Sequence, residues 1–174
     1  MSGHNKWSKI KRQKEKTDGQ KSKIFSKLAK LISTAAKQAH GDKNSPLVRA
    51  AVEKAREYNM PLENIDRAIK KSSEIGEMEE VVYECYGPGG CAIIIGALTT
   101  NRNKAAQEVK HILSEFGIEL AAPGSASWAF AKEHHEWKPT TPVQISEEDG
   151  KILENIIEKL EGNDEVQEIY TNAE

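Results

Sequence analysis

The chain is poor in cysteine, in aromatic residues and in long apolar runs. Its 174 residues include 2 cysteines and only 6% aromatic residues. The longest aliphatic run, at 92–95, is far too short to cross a bilayer, which takes about 20 residues. No apolar run precedes Ile24, so we expect no secretory signal, and two cysteines then indicate free thiols in a reducing compartment. These absences predict a cytoplasmic protein without a membrane partner.

The formal net charge of −2 conceals two oppositely charged halves. Residues 1–71 contain 18 Lys and Arg against 7 Asp and Glu, whereas residues 72–174 contain 7 against 20. A basic half joined to an acidic half is typical of proteins that bind nucleic acid or membrane surfaces. The near-neutral total is therefore no argument against a nucleic-acid partner, and the two halves also allow self-association.

The basic half predicts an arm over 1–20 and a three-helix domain over 21–73. Between 21 and 40, apolar residues recur on one side of a helix. The opposite side is predicted to carry a cationic stripe, made of Lys23, Lys27, Lys30, Thr34 and Lys37. Ser45 and Pro46 predict the start of a second helix, and a break at 59–61 precedes the third. The buried faces of these two helices are predicted to contain Leu47, Val48, Ala51, Val52, Ala55, Leu62, Ile65, Ala68 and Ile69.

The acidic half, over 74–174, predicts a small α+β domain behind a linker at 74–80. Its predicted strands cover 81–86, 91–99, 124–132 and 166–171, and the first two form a hairpin around the loop Gly87-Pro88-Gly89-Gly90. One helix is capped by Asn101 or Thr100 and ends near Gly117. A last helix begins at Ser146, with Ile152, Leu153, Ile156, Ile157 and Leu160 facing inward.

No cluster in the sequence predicts catalysis, a cofactor or a metal site. If Tyr86 pairs with Cys91, then Cys85 points to the other face, which favours separate buried thiols over a disulfide or a shared ligand. The histidines His111, His134 and His135 have no ligand spacing. The acidic runs at 77–84 and 147–149 are interpreted as a solvated face and a helix N-terminus. We therefore expect a protein that is not an enzyme.

Several spaced motifs in order resemble the YebC/PmpR family. They are Gly3-His4-Asn5-Lys6-Trp7, the stretch 19–37, the loop Tyr86-Gly87-Pro88-Gly89-Gly90, Asn101-Arg102-Asn103-Lys104, and the stretch 166–172. The resemblance implies a probable transcriptional regulator, since bacterial members are described as such. It also implies a relation to the mitochondrial translational activators of cytochrome c oxidase subunit 1. Family members are longer, with a further ferredoxin-like domain between the positions of Lys132 and Trp137, so this chain is expected to have two domains instead of three.

The cationic residues of the arm and the first helix are the predicted nucleic-acid contacts, because lysine and arginine attract phosphate backbones. The predicted residues are Lys6, Trp7, Lys9, Lys11, Arg12, Lys14, Lys16, Lys21, Lys23, Lys27, Lys30, Lys37, Arg102 and Lys104. Trp7 either stacks on a base or anchors the arm to the bundle. Arg102 and Lys104 either bind phosphate at a helix start or belong to an ordinary capped end. The 87–90 loop lacks the Lys-Ser/Thr and the following helix of a phosphate loop, so a hairpin turn is favoured.

The sequence therefore predicts a non-enzymatic, nucleic-acid-binding regulator of gene expression. Its target is promoter DNA or ribosomal RNA within the ribosome, reached mainly through shape and phosphate contacts because no base-reading motif is present. The alternative is a protein-interaction module whose basic domain binds an acidic protein.

Overall fold

The computed structural model describes residues 18–134 and 136–174. These residues divide into two compact units, one ending at residue 78 and the other beginning at 79. The first is helical and the second mixes helices with antiparallel strands, which confirms the predicted α+β fold class. Residues 1–17 of the predicted arm lie outside the described part. No helix among the described residues is long and apolar enough to cross a membrane.

Three helices form the first unit. They are α1 (Asp18–Gln38), α2 (Pro46–Glu57) and α3 (Leu62–Lys70), and a 3₁₀ turn (Lys71–Ser73) follows α3. Gly41, at φ 82°, ends the first helix by donating its N–H to the Ala36 carbonyl at 2.8 Å. Ser45 precedes Pro46 as predicted, although the serine side chain makes no capping hydrogen bond. The start of α2 therefore depends on the fixed φ of proline.

The core of the helical unit is aliphatic and rich in alanine. It consists of Leu28, Ile32, Ala35, Ala36, Val48, Ala51, Ala55, Met60, Ile65, Ala68 and Ile69. The buried Ser33 hydroxyl links two helices by donating to the Ala68 carbonyl at 2.6 Å. The predicted burial of Leu47 and Leu62 is wrong, since they are 44% and 62% exposed. Both lie in the first turn of a helix, where their side chains remain outside the core.

A three-stranded antiparallel sheet with the order β1–β2–β5 forms the centre of the second unit. Its strands are β1 (Glu79–Tyr86), β2 (Ala92–Thr99) and β5 (Val166–Thr171), and a separate hairpin consists of β3 (Phe130–Glu133) and β4 (Glu136–Pro139). The central strand is almost entirely buried because both of its faces are covered. One face packs on α4 (Arg102–Ser114) and α5 (Glu147–Glu161) through Val109, Leu113, Leu153, Ile156 and Leu160.

Side-chain caps begin both helices of this unit. Asn101 accepts a hydrogen bond from the Lys104 N–H at 3.1 Å, and Ser146 accepts one from the Asp149 N–H at 3.1 Å. The sequence predicts the cap at Ser146, and it leaves Asn101 and Thr100 as alternatives for the cap of the other helix. The inward orientation predicted for Ile152 is wrong, since this residue is 41% exposed on α5.

The register of the first hairpin differs from the prediction by one residue. Tyr86 pairs with Ala92 and Cys85 with Ile93, because the loop closes through the Gly87 N–H and the Cys91 carbonyl at 2.8 Å. Cys85 and Cys91 consequently lie in the same core cluster instead of on opposite faces. Both are buried free thiols, as predicted. Burial raises the pKa of Cys85 to about 12 and also raises the pKa of Cys91, so both thiols stay protonated.

The strand predicted over 124–132 exists only at its C-terminal end. Residues 127–129 form a 3₁₀ turn, and β3 begins at Phe130. The backbone N–H groups of Gly124, Ala126 and Ser127 bind the Glu84 side chain, so they are not available for a strand ladder. The turn and the second hairpin cover the sheet face opposite the helices, where Ala92, Ile94, Phe130 and Tyr170 form a second cluster.

Candidate nucleic-acid interface

The predicted cationic stripe is exposed only at the N-terminal end of α1. Within the stripe, Lys23 is exposed, whereas Lys27 and Lys30 are half-buried. Lys21, a predicted site residue outside the stripe, is also exposed. The remaining predicted cations of the arm and Trp7 lie within residues 1–17, outside the described part of the chain. Lys21 and Lys23 are therefore the best-presented members of the predicted set on this helix.

The C-terminal half of α1 is covered by the segment 75–78. The Lys37 ammonium donates to the Ile75 carbonyl and lies 4.0 Å from the Glu77 carboxylate. Thr34, which the helical period places on the stripe, is only 8% exposed and donates its hydroxyl to the Lys30 carbonyl at 2.8 Å. The predicted solvated stripe is thus wrong at Thr34, because the helical period alone cannot reveal a segment that folds back from a later point in the chain.

A second set of exposed cations lies at the end of α3, where the sequence analysis places no site residue. Arg67, Lys70 and Lys71 are all exposed. Their spacing of three and four residues puts them on one side of the helix and its 3₁₀ extension. The same spacing rule applied to the sequence could have found them. They enlarge the cationic surface of the helical unit.

The start of α4 combines two cations with three carboxylates. The Arg102 guanidinium lies 3.2 Å from the Glu79 carboxylate. The Lys104 ammonium lies 3.8 Å from Glu108 and 3.6 Å from Glu165. Exposed ion pairs contribute about 0–1 kcal/mol, so a phosphate could replace these partners at little cost. The structure confirms the cap at Asn101, and phosphate binding by Arg102 and Lys104 stays a prediction.

The glycine loop between β1 and β2 is a packed hairpin turn. Gly89 has a φ of 69°, and a Cβ at this position would lie 2.7 Å from the Ile145 side chain and 3.2 Å from the Asp149 carboxylate. Glycine is therefore required here both by the backbone conformation and by the close approach to the start of α5. A carboxylate beside the loop also opposes phosphate binding, which agrees with the turn that the sequence favours.

Glu84 is the most constrained carboxylate in the described chain. It is 7% exposed, and its two oxygens accept backbone hydrogen bonds from Gly124, Ala126 and Ser127, each at 2.8 Å. Burial raises its pKa, but these hydrogen bonds outweigh burial and hold the pKa below the ordinary value of 4.5. The interpretation of 77–84 as a fully solvated acidic run is therefore wrong at this residue, which anchors the loop before β3.

That loop presents an exposed aromatic pair, which the sequence analysis does not identify. Trp128 is 60% exposed and Tyr86 is 41% exposed. The Trp128 indole N–H donates to the Tyr86 hydroxyl at 2.9 Å, and this hydroxyl donates to the Ser125 carbonyl. A tryptophan within an uncharged Gly-, Ala- and Ser-rich stretch is the only sequence signal for it.

Among residues 18–134 and 136–174, no group of three or more His, Cys, Asp and Glu side chains could hold a metal ion.

Family models match almost the whole chain. The model of the TACO1/YebC protein N-terminal domain matches residues 5–75. The model of the TACO1/YebC second and third domain matches residues 78–135 and 131–173. The chain belongs to the TACO1/YebC family. This membership confirms the resemblance to YebC/PmpR. The two matched ranges of the second model overlap at residues 131–135, around the turn of the β3–β4 hairpin. That turn lies between Lys132 and Trp137, where the longer members are expected to carry their additional domain.

Curated relatives of this TACO1/YebC chain are named probable transcriptional regulatory proteins. The one from Thermoanaerobacter pseudethanolicus is 38% identical over 239 aligned positions, which cover all of this chain and 97% of the relative. Because this chain has 174 residues, the relative contains segments without a counterpart here. Those from Thermotoga petrophila and Thermotoga maritima are 51% and 46% identical. The matches cover 76% and 90% of this chain, but only 54% and 61% of these two relatives.

A solved structure has the same fold. The crystal structure of a conserved hypothetical protein from Aquifex aeolicus superimposes with a TM-score of 0.77 at 29% sequence identity. The match covers 92% of this chain and 94% of that protein.

Proposed function

We propose that this chain is a non-enzymatic regulator of gene expression that binds nucleic acid through its basic N-terminal half. The observation that carries the proposal is the segregation of charge, with 18 Lys and Arg against 7 Asp and Glu in residues 1–71. Exposed cations on the described helices supply a surface for it, namely Lys21, Lys23, Arg67, Lys70 and Lys71. The names of the curated relatives support a regulatory role.

The proposed mode of binding is contact with the phosphate backbone. Lysine and arginine displace condensed counterions from nucleic acid, so affinity falls steeply with salt and depends little on sequence. The helical unit supplies the rigid frame that holds α1 and α3 while their charged ends face solvent. Specific readout of base edges is not part of the proposal, because no base-reading motif has been identified.

Two targets fit this mode. The names of the relatives favour DNA and a role in transcription, whereas the mitochondrial relatives implied by the sequence resemblance favour ribosomal RNA and translation. Backbone contacts alone do not distinguish the two targets. Nucleic acid is therefore the proposed partner, and the experiment below distinguishes DNA from RNA.

The experiment is purification of the full-length chain at low and at high ionic strength, followed by sequencing of the bound nucleic acid. We expect nucleic acid to co-purify at about 50 mM salt and to dissociate at about 1 M, as counterion release requires. Reads from ribosomal RNA would indicate translation, and reads from genomic DNA would indicate transcription. A chain that carries no nucleic acid at any ionic strength would contradict the proposal and favour an acidic protein partner for the basic half.

A further inference from the structure

The α+β unit carries two large exposed rings that its own packing does not use. Trp128 and Tyr86 are 60% and 41% exposed, although large aromatic side chains usually contribute to a core. Besides them, the exposed large hydrophobic residues described in this unit are Val82 and Ile152. Ile152 lies on α5, which packs on the other face of the sheet, so the exposed apolar area around the two rings is small.

The two rings are held in place by a chain of hydrogen bonds. The Trp128 indole N–H donates to the Tyr86 hydroxyl at 2.9 Å, and the Tyr86 hydroxyl donates to the Ser125 carbonyl. The loop that carries Trp128 is itself fixed, because Glu84 accepts three of its backbone N–H groups at 2.8 Å. Glu84 and Tyr86 are alternate residues of β1 and lie on the same sheet face. One strand therefore supplies both the anchor of the loop and the partner of its tryptophan.

This arrangement leaves the apolar ring atoms as the feature that a ligand can use. The Trp128 N–H and the Tyr86 hydroxyl already have partners, so a ligand gains contact mainly with the rings themselves. The segments that carry the rings are uncharged, since residues 85–101 and 120–131 contain no Asp, Glu, Lys or Arg. Pre-positioned aromatic rings on uncharged segments are suited to stacking on a planar ring.

We propose that Tyr86 and Trp128 form a stacking site for an unpaired nucleobase of single-stranded nucleic acid. The site rests on the proposed function, because the basic half would supply the phosphate contacts. A stable protein interface buries about 800 Å² on each partner, whereas two rings and Val82 offer an area suited to one or two bases.

Carboxylates on the same sheet face limit the site to base contacts. Glu80 and Glu84 lie on the same face of β1 as Val82, because alternate residues of a strand share a face. Glu168 lies on this face too, because Val82 pairs with Gly96 and Gly96 pairs with Glu168. Glu84 is occupied by backbone N–H groups, and Glu168 accepts from the Tyr170 hydroxyl. Phosphates are therefore not attracted to this face, and the contribution of the site to affinity should depend little on salt.

The test compares a single strand of RNA with a blunt duplex of the same sequence, each end-labelled, by fluorescence anisotropy with the full-length chain. Trp128→Ala should weaken single-strand binding about tenfold or more, since removal of a stacking aromatic typically has an effect of this size. Duplex binding and the slope of affinity against salt should not change. Ile152→Ala removes another exposed hydrophobic side chain of the same unit, 41% exposed, and should change neither affinity. Tyr86→Phe keeps the ring but loses both hydroxyl hydrogen bonds, so it should have a smaller effect than Trp128→Ala.

A second measurement does not require Trp128 to be replaced. In a chain with Trp7→Phe and Trp137→Phe, Trp128 is the remaining tryptophan, and single-stranded RNA but not duplex should quench its fluorescence. Equal effects of Trp128→Ala on both RNAs, no effect on either, or a lack of quenching would overturn the stacking site while the proposed function stands. A change in sedimentation of Trp128→Ala at unchanged affinity would overturn it in favour of self-association. A wild-type chain that binds neither RNA nor DNA would overturn the site and the proposed function together.

Discussion

The two units of this chain handle charge in opposite ways. In the helical unit, the described core is apolar apart from a few hydroxyls, and cations such as Lys21 and Lys23 lie at the surface. In the α+β unit, the most informative charge is internal, because the Glu84 carboxylate holds a loop through three backbone hydrogen bonds. Surface charge can be altered with little effect on folding, whereas a buried carboxylate with three donors cannot. Under the proposed function, the surface charge of the basic half serves binding, whereas Glu84 shows that charge in the acidic half serves structure.

The largest expected effect on stability follows from Glu84→Ala. This substitution leaves the N–H groups of Gly124, Ala126 and Ser127 without their acceptor, and we expect a loss of about 3–5 kcal/mol in the free energy of unfolding. Urea unfolding followed by tryptophan fluorescence reports on it, because Trp128 and Trp137 both belong to this unit. The control is Glu80→Ala, an exposed residue of the same strand and face, which should change stability by less than about 0.5 kcal/mol. Equal effects of the two substitutions would contradict the anchoring role.

The same carboxylate predicts a pH dependence. Because the pKa of Glu84 is lower in the folded state than its ordinary value of 4.5, its contribution to stability is complete above that value. The contribution is lost as the pH falls through the lowered folded-state pKa. Between about pH 6 and pH 3, the wild-type chain should therefore lose more unfolding free energy than Glu84→Gln does. Parallel pH profiles for the two chains would be evidence against a depressed pKa.

A smaller effect is expected from Gly89→Ala in the loop between β1 and β2. The added methyl group lies 2.7 Å from Ile145 and forces a side chain into the left-handed region, so we expect a loss of about 2–3 kcal/mol. Gly90→Ala is the matched control, since Gly90 also has a positive φ, of 79°, but has open space around it. Gly90→Ala should lower the free energy of unfolding by about 1 kcal/mol. The difference between the urea midpoints of the two variants then measures how much the packing of the loop on the start of α5 contributes to stability.

The smallest effect on stability belongs to the helical unit. Ser33→Ala removes the hydrogen bond from the buried hydroxyl to the Ala68 carbonyl, and we expect a loss of about 1 kcal/mol. Circular dichroism at 222 nm during urea unfolding measures it. Ser26→Ala, at an exposed position of the same helix, serves as the control. A loss for Ser33→Ala as large as that for Glu84→Ala would remove the contrast between the two units.

Local signals in the sequence predicted most elements but not their long-range partners. Ser45 and Pro46, Ser146 with Asp149, and the alternation around the glycine loop each act within a few residues, and the corresponding helices and strands are present. The hairpin register was wrong because it depends on which backbone groups close the loop, and a shift of one residue moves a side chain to the other face.

The parts of the site that depend on distant segments could not be read from the sequence. Lys37 finds its partners Ile75 and Glu77 about 40 residues later in the chain, and Glu84 finds its donors at a similar separation. Within a run of acidic residues, nothing local distinguishes the buried carboxylate from its solvated neighbours. The pairing of Trp128 has the same kind of origin, since its partner Tyr86 lies at the end of β1, 42 residues earlier in the chain.

The salt dependence of nucleic-acid affinity in two matched double variants shows which half of the chain contacts phosphate. Lys21→Gln with Lys23→Gln removes two exposed cations from the helical unit, and Lys110→Gln with Lys151→Gln removes two exposed cations from the α+β unit. Each phosphate contact contributes about 0.9 to the slope of log affinity against log salt. We expect the first pair to lower this slope by about 1–2 and to weaken binding at low salt, and the second pair to change neither quantity. If the Lys21/Lys23 double variant kept the wild-type slope, or if both double variants lowered the slope equally, the assignment of binding to the basic half would be contradicted.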